Sequence, residues 1–265
     1  MEDQLLLIER KERVCTISFN RPEKRNALTP LMLSHLADIL EEIRKEDEVR
    51  CLVLRGAGDK AFSSGYDISD IPTNIPPEKA EAFKTQNPFA IGMQAVLDFP
   101  YPIIAMVNGH AFGAGFDLAM ACDIRLAAET ALLGIPPAKL GIIYQSSGIL
   151  RFINTVGLAN AKEVFFTGRS YRAPKAKEMG FLNYVLPPDQ LASFTYEMAR
   201  EISENAPLSL KGMKIIFQKC LAYQKFDPED AKEIEALRVQ AFNSEDMKEG
   251  QRAFKEKRKP VFKGK

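Results

Sequence analysis

A short apolar strand that leads directly into a glycine-rich turn does most to limit what this chain can fold into. Residues 102–109, "PIIAMVNG", predict a buried strand, and "HAFGAGFDLAMAC" continues it through a turn into an apolar helix that ends near Cys122. Strand signals follow again in "DIRLAAE" and "ALLG". Short buried strands that alternate with helices favour an α/β class of fold.

The segments before and after this unit fit the same class. Thr29 and Pro30 predict a helix N-terminus, and apolar residues then repeat at helical spacing to about Lys45. A polar helix is predicted from about Pro77 to Phe99, with a kink at Pro88. Strand signals stop near Pro187, and helical patterns follow. The other predicted strands are residues 4–9, 14–20 (joined by the charged turn "RKER") and 51–56.

Composition excludes several classes of function. The chain has 265 residues and 46% hydrophobic content, enough for a sizeable core, and its net charge of +1 argues against a nucleic-acid partner. The four cysteines lie far apart, so neither a disulfide framework nor a zinc ribbon is expected. The N-terminal stretch does not resemble a signal peptide, and no apolar run reaches about 18 residues. We therefore expect a cytoplasmic protein without a membrane span.

The turn itself allows two interpretations. Gly109, Gly113 and Gly115 permit close packing of the strand on the helix, and the first amides of the helix lack intrahelical acceptors. Such amides, together with the helix dipole, also form a site for an anion or a developing oxyanion. A dinucleotide fingerprint is excluded because Leu118 stands at the third glycine position, and no G-K-[ST] motif is present.

A second loop, "KAFSSGYDIS", offers another backbone amide at Tyr66, after the bend at Gly65. Two N–H donors aimed at one carbonyl oxygen are what enolate chemistry needs. The serines of this loop do not form a G-x-S-x-G nucleophile motif. Of the two histidines, His35 is expected on the polar face of the first helix and His110 in an ordinary turn. A Ser–His–Asp hydrolase and a multi-histidine metal site are therefore disfavoured.

Several blocks, in the right order, resemble the crotonase superfamily of enoyl-CoA hydratases and isomerases. The resemblance is carried by "NRPEKRNALT", "AFSSGYDI", "NGHAFGAGFDLAMACDIRLAAE", "FTGRSYRAPKAKEMGFLNYVLP" and "GQRAFKEKRKPVF". It implies a spiral of ββα units over residues 1–205, which would bind and transform an acyl-CoA. It also implies a helical region, residues 206–265, that supports a homotrimer or a dimer of trimers.

The resemblance also assigns site residues. The amides of Tyr66 and Ala114 would hold the thioester carbonyl oxygen. Coenzyme A would enter as part of the substrate, so no separate cofactor and no metal are expected. The residues implied to lie along the coenzyme A path are Lys24, Arg25, Ala27, Leu28, Ser63, Asp67, Ile68, Phe254 and Lys257.

Departures from the family pattern bear on the reaction. The hydratases use two glutamates, which correspond here to Asp117 and Pro137. Asp reaches roughly 1 Å less far than Glu, and an error of about that size can cost about 100-fold in rate. Proline supplies no proton. A two-carboxylate hydration mechanism therefore does not transfer to this chain.

Tyr144, in "LGIIYQSSG", points to one branch of the family. The chain resembles the methylmalonyl-CoA decarboxylases in carrying a tyrosine there, and departs from them at Tyr66, where histidine is expected, and at Asp117, where glutamate is expected. Loss of CO₂ from a malonyl-type thioester would need the oxyanion amides and no strong base. An apolar pocket of Phe112, Phe116 and Ile143 would desolvate the substrate carboxylate. The Tyr144 hydroxyl would orient that carboxylate or the thioester by a hydrogen bond.

Three hypotheses remain open at this point. The first is a decarboxylase for a carboxylated acyl-CoA, with Tyr66, Ala114, Asp117 and Tyr144 as the catalytic group. The second is an enoyl-CoA hydratase or isomerase in which Asp117 is the single acid or base. The third is an acyl-CoA-binding protein with little catalytic activity.

Overall fold

Two sheets form the framework of the protein, as seen in a computed structural model that describes residues 5–67, 87–222 and 226–264. The larger sheet has the order β1-β2-β3-β5-β7-β10 and the smaller one the order β4-β6-β8-β9. The strands are β1 Leu6–Lys11, β2 Val14–Phe19, β3 Cys51–Gly56, β4 Ala61–Ser63, β5 Ile103–Val107, β6 His110–Phe112, β7 Ile124–Ala128, β8 Leu132–Gly134, β9 Ser170–Arg172 and β10 Tyr184–Leu186.

The larger sheet is parallel from β2 to β10, and its central strands are buried on both faces. This explains why β3 and β5 consist almost entirely of apolar residues rather than alternating ones. β1 is the exception, because it pairs antiparallel with β2 at the sheet edge and is mostly exposed. The predicted turn "RKER" is too long: β1 extends to Lys11, and only Glu12 and Arg13 make the connection.

Nine helices complete the described part of the chain. Thr29 caps α1 as predicted, since its side chain accepts a hydrogen bond from the Met32 amide at 3.2 Å. The helices are α1 Pro30–Glu46, α2 Pro88–Asp98, α3 Ala114–Ala121, α4 Ser146–Thr167, α5 Ala173–Glu178, α6 Pro188–Glu204, α7 Pro207–Ala222, α8 Pro228–Phe242 and α9 Glu245–Lys255.

The prediction of a helix that runs through a kink at Pro88 is wrong at that position. Asn87 is extended, and its side chain accepts a hydrogen bond from the Phe89 amide at 2.9 Å, so α2 begins at Pro88. Proline suits the first helical position because its missing N–H would have no intrahelical acceptor there. The earlier part of the predicted helix, up to residue 86, lies outside the described residues.

The smaller sheet positions the two loops on which the sequence argument depends. β4 and β6 are parallel neighbours, with Ala61 paired to His110. Parallel strands present their carboxyl ends at the same edge of a sheet. The loop that follows Ser63 and the turn that follows Phe112 therefore emerge side by side.

The C-terminal helices pack on the strand-rich part of the same chain. On α7, the buried Lys214 ammonium donates to Asp123 Oδ2 at 2.8 Å and to the Tyr101 carbonyl at 2.9 Å. On α9, a methyl group placed at Gly250 would lie 2.6 Å from the Leu140 carbonyl carbon. This close approach holds α9 against the short 3-10 turn at Pro137–Leu140. Within the described ranges, no helix has both the length and the apolarity that a bilayer crossing requires.

An aromatic cluster joins α3 to α4 beneath the loops. The Phe116 ring lies 5.3 Å from those of Phe152 and Phe181, with edge-to-face or tilted geometry. Phe116 is only 1% exposed and belongs to the core. The expectation that it lines a substrate pocket is therefore wrong, because its helix turns that face toward α4. Ile143, by contrast, is 38% exposed.

The first prediction concerns this cluster. Phe152→Ala removes a fully buried ring that contacts other rings of the cluster, and we expect it to lower the free energy of unfolding by about 3–5 kcal/mol. Phe166→Ala on the same helix is the matched control, because that side chain is 76% exposed. Urea unfolding of both variants checks this. Equal losses in the two would contradict the packing described.

Candidate active site

The two predicted oxyanion loops touch each other through their backbones. A methyl group at Gly65 would lie 2.9 Å from the Phe112 carbonyl oxygen and 3.5 Å from the Ala114 amide nitrogen. One at Gly115 would lie 2.6 Å from the Ser63 Cβ. Both glycines are therefore required by the close approach, and Gly65 also has a φ of +104° that suits glycine. The close contact at Gly65 packs the two strand ends together and would also bring the two amides to one place. The two interpretations of the turn are therefore compatible.

The hydrogen bonds around the loops define the direction of the amides. The Leu28 amide donates to the Gly65 carbonyl and the Asp67 amide donates to the Leu28 carbonyl, each at 2.8 Å. In this parallel bridge the Tyr66 amide points away from Leu28. Ala114 is the first residue of α3, and the first helical bond runs from the Asp117 amide to the Gly113 carbonyl, so the Ala114 N–H has no acceptor within its helix.

Asp117 has two partners that anchor it in the core. It is fully buried on α3, one helical turn beyond Ala114. Arg151 Nε donates to Oδ1 at 2.9 Å, and the Tyr144 hydroxyl donates to Oδ2 at 2.8 Å. A buried carboxylate is tolerated when it is paired and hydrogen-bonded in this way. Asp117 is therefore a paired carboxylate, and both of its oxygens are engaged.

The sequence argument missed Arg151. Between residues 146 and 161 it is the one charged side chain in a largely apolar helix, as Asp117 is in α3. Two isolated opposite charges on separate apolar helices are the signal that would have paired them. Spacing alone does not show it, because 34 residues separate the two.

Tyr144 is held in place by its neighbours. A methyl group at Gly148 would lie 2.5 Å from a Tyr144 ring carbon, and the ring also packs on Phe165 with centroids 5.5 Å apart. Burial, followed by the neighbouring Asp117 charge, raises the pKa of Tyr144 well above its usual value. The phenol therefore keeps its proton at neutral pH and donates a hydrogen bond to Asp117.

The other polar candidates near these loops have structural partners. Pro137 is buried at the start of its 3-10 turn, so the position of the second family glutamate carries no acid. His35 is exposed on α1, as expected. His110 is the first residue of β6 rather than a turn residue, and its Nδ1 accepts a hydrogen bond from the Leu132 amide at 3.1 Å. In the described ranges, no three His, Cys, Asp or Glu side chains are grouped so that they could hold a metal ion.

The residues expected along the coenzyme A path differ in their exposure and partners. Lys24 and Arg25 are exposed beside the loop that follows Ser63. Ala27, Leu28 and Ser63 are enclosed, so their side chains support the loop from inside. Ser63 Oγ, for example, accepts a hydrogen bond from the Gly65 amide at 3.1 Å.

Asp67 forms an ion pair with Arg21 at 3.2 Å. Ile68 lies outside the described residues. Phe254, 60% exposed, lies in the last turn of α9, and Lys257 follows just after that helix. Both are far along the chain from the loop after Ser63.

A further supporting residue, Asn26, was not singled out from the sequence. It is fully buried with a φ of +55°, and its Nδ2 donates to the carbonyls of Ala57 and Ala61 at 3.0 and 2.7 Å. Its Oδ1 accepts from the Arg21 amide at 3.0 Å. Asn26 thus ties the segment that begins at Arg21 to the start of β4. The available sequence signal is the residue type, because asparagine tolerates positive φ better than most residues.

These features are those of an enzyme that acts on acyl-CoA thioesters, and comparison with known proteins agrees. The family model described as "Enoyl-CoA hydratase/isomerase" matches residues 9–265. The chain belongs to this family, the crotonase superfamily.

Its relatives include proteins of different named activities. The chain is 36% identical over its full length, and over the full length of the relative, to YngF of Bacillus subtilis (strain 168), which is assigned to the enoyl-CoA hydratases/isomerases. It is 33% identical to the methylmalonyl-CoA decarboxylase of Escherichia coli (strain K12), with 95% of each chain covered.

Among solved structures, similarity of the backbone does not simply follow sequence identity. A methylmalonyl-CoA decarboxylase complexed with 2S-carboxypropyl-CoA is similar with a TM-score of 0.92 at 32% identity, with 100% of each chain covered. An enoyl-CoA hydratase from Bacillus anthracis is similar with a TM-score of 0.76 at 33% identity, covering 99% of this chain and 100% of the other. At nearly equal identity, the backbone is therefore more similar to that of the decarboxylase.

The second prediction concerns the contact between the loops. Gly115→Ala would push its methyl group into Ser63, so we expect it to separate the Ala114 amide from the Tyr66 loop and to reduce thioester turnover at least tenfold. Gly212→Ala on α7 is the control, because nothing lies within 4 Å of its added methyl. Activity and thermal unfolding of both variants check this. Wild-type turnover in Gly115→Ala would contradict the required close approach.

Proposed function

We propose that this enzyme decarboxylates a malonyl- or methylmalonyl-type CoA thioester. The observation that carries the proposal is the state of Asp117, whose two oxygens are bound by Arg151 and Tyr144. Hydration needs carboxylates that are free to activate water and transfer protons. Among the described residues near the paired loops, Asp117 is engaged and Pro137 has replaced the second acid.

Decarboxylation uses what the site retains. The amides of Tyr66 and Ala114 would bind the thioester carbonyl oxygen. When the bond between the α-carbon and the carboxylate breaks, its electron pair forms the enolate, and the two amides stabilise the oxyanion. CO₂ leaves, and a proton from solvent completes the product at the α-carbon. No redox step occurs, so the proposal requires no cofactor besides the coenzyme A of the substrate.

Tyr144 suits this reaction without donating a hydrogen bond to the substrate. Its O–H donates to Asp117, so the phenolic oxygen presents lone pairs on its other side. A substrate carboxylate placed there gains no hydrogen bond from the phenol and lies near the Asp117 charge. Conversion of that carboxylate to neutral CO₂ removes this unfavourable contact.

An enoyl-CoA isomerase is the second candidate. Asp117 lies one turn from the Ala114 amide, as a single base would, and YngF is assigned to the hydratases/isomerases. The engaged oxygens of Asp117 favour decarboxylation over this reaction. Acyl-CoA binding without turnover is the remaining outcome of the same assays.

The third prediction tests the proposed reaction. We expect the enzyme to release CO₂ from malonyl-CoA or methylmalonyl-CoA. Tyr144→Phe should lower kcat about tenfold, because the variant lacks the phenolic oxygen that destabilises the bound carboxylate. Tyr171→Phe is the matched control, because the Tyr171 hydroxyl donates to a different carboxylate, that of Glu163 on α4, at 2.9 Å.

Other substrates separate the alternatives. Crotonyl-CoA consumption without CO₂ release from either carboxylated thioester would replace the proposal with the hydratase or isomerase. If Asp117→Asn leaves such consumption unchanged, Asp117 is not its base. Tight acyl-CoA binding with no turnover of any substrate would leave only the binding function.

We also propose that the chain assembles as a homotrimer or a dimer of trimers, as the family resemblance implies. α7 supports this, because it exposes large apolar side chains, among them Leu208 at 84%, Ile216 at 59% and Phe217 at 68%. Apolar surface of this kind is usually covered by a partner.

The fourth prediction follows from that surface. Sedimentation equilibrium should give a mass three or six times that of the 29.7 kDa chain. Phe217→Asp should shift the mass toward the monomer, whereas Lys219→Asp, on the same helix, should not. A monomeric wild-type protein would contradict the proposal.

A further inference from the structure

Arg151 connects the core to the proposed site through a continuous chain of contacts. Its Nε donates to Asp117 Oδ1 at 2.9 Å, and Asp117 Oδ2 accepts from Tyr144 at 2.8 Å. Arg151 and Gly148 lie on the first turns of α4, and Tyr144 lies just before that helix. The same helix therefore supplies the cation that pairs Asp117 and the glycine on which the Tyr144 ring rests.

We propose that Arg151 is a positioning residue for the decarboxylation: by pairing with Asp117 it keeps that side chain a hydrogen-bond acceptor and so fixes the Tyr144 hydroxyl beside the oxyanion loops. This inference rests on the proposed function for its kinetic consequence, but its structural part does not. Arg151 acts through Asp117 and is not itself required to touch the substrate.

The physical reason lies in what a buried carboxylate becomes without a counter-ion. Asp117 is fully buried, so removal of the Arg151 charge favours its protonated form. A protonated carboxyl is itself a hydrogen-bond donor. A proton on Oδ2 of Asp117 would take the place of the one that Tyr144 donates to that oxygen. The phenol then loses its fixed acceptor, and its oxygen no longer presents the same lone pairs to the substrate.

Few other titratable groups face this pair from the described elements packed around it. Burial raises the pKa of the Cys122 thiol to about 12, so it stays neutral at ordinary pH. The His110 ring accepts from the Leu132 amide. Arg125 on β7 donates to the Cys122 and Phe181 carbonyls at 2.6 and 2.8 Å. Other charged groups on neighbouring elements include Asp98, Asp123, Lys139, Lys162 and Glu163.

The test compares Arg151→Gln with Arg151→Lys. We expect Arg151→Gln to lower kcat about 100-fold while KM for the thioester changes less than about twofold, because coenzyme A contacts are untouched. In this variant kcat should rise with pH, because a buried carboxyl without its counter-ion favours the protonated form. Arg151→Lys, which retains a cation, should restore kcat to within about tenfold of wild type.

Two further variants serve as controls. Arg169→Gln removes an exposed arginine just after α4 and should leave kcat and its pH profile unchanged. The double variant Asp117→Asn with Arg151→Gln removes both charges, so it should fold even where the single variant leaves a bare carboxyl in the core. Its kcat should remain low and should show no pH step, because no acid is left to titrate.

A readout independent of activity separates this inference from the proposed reaction. In protein labelled with ¹³C-tyrosine, the Tyr144 ring-carbon signal, assigned by its loss in Tyr144→Phe, reports the charge of Asp117. We expect its position to depend on pH in Arg151→Gln in a way that it does not in the wild type. If the wild-type enzyme releases no CO₂ but these signals behave as stated, the proposed function fails and the positioning role stands.

Three results would overturn the inference. The first is wild-type kcat in a folded Arg151→Gln variant. The second is a loss of kcat that has no pH step and that lysine does not reduce, which is the behaviour of a merely structural residue. The third is a Tyr144 signal with the same titration in the wild type and in Arg151→Gln.

Discussion

A carboxylate enclosed in an apolar helix needs a counter-ion, and much of the arrangement around the site follows from that requirement. Asp117 is fully buried on α3 and is paired with Arg151, which brings the first turns of α4 against α3. The Phe116–Phe152 contact lies on the same two helices and adds apolar contact to the ion pair. With α4 fixed in this way, the Tyr144 hydroxyl reaches Oδ2 of Asp117, the oxygen to which Arg151 Nε does not donate.

The oxyanion loops depend on a second constraint, the space left by absent side chains. Gly65 and Gly115 let two parallel strand ends approach until their backbones touch. Asn26 donates to two carbonyls, one of them at the start of β4, the strand that leads into the Gly65 loop. Arg21 donates to Asp67 and to the Ala27 carbonyl. The amides proposed to bind the thioester oxygen are thus held by fixed backbone, which is the condition for electrostatic stabilisation without reorganisation.

The two constraints together support the proposal that this scaffold catalyses decarboxylation. Where the family has two glutamates, this chain has one shortened acid that is engaged and one proline in a buried turn. The backbone donors do not depend on either side chain. The proposed decarboxylation needs a stabilised enolate and does not require the two acids.

Local patterns in the sequence determined the α/β class, the Thr29 cap, the strands around residues 51–56 and 102–109, and the helical C-terminal part. These depend on hydrophobic periodicity and capping, which act over a few residues. Family resemblance located the candidate loops and the odd residues Asp117, Pro137 and Tyr144. Only the tertiary structure decided that Asp117 is paired with Arg151, that Phe116 faces the core and that α2 begins at Pro88. These depend on which side chains meet across long separations, and neither periodicity nor spacing contains that information.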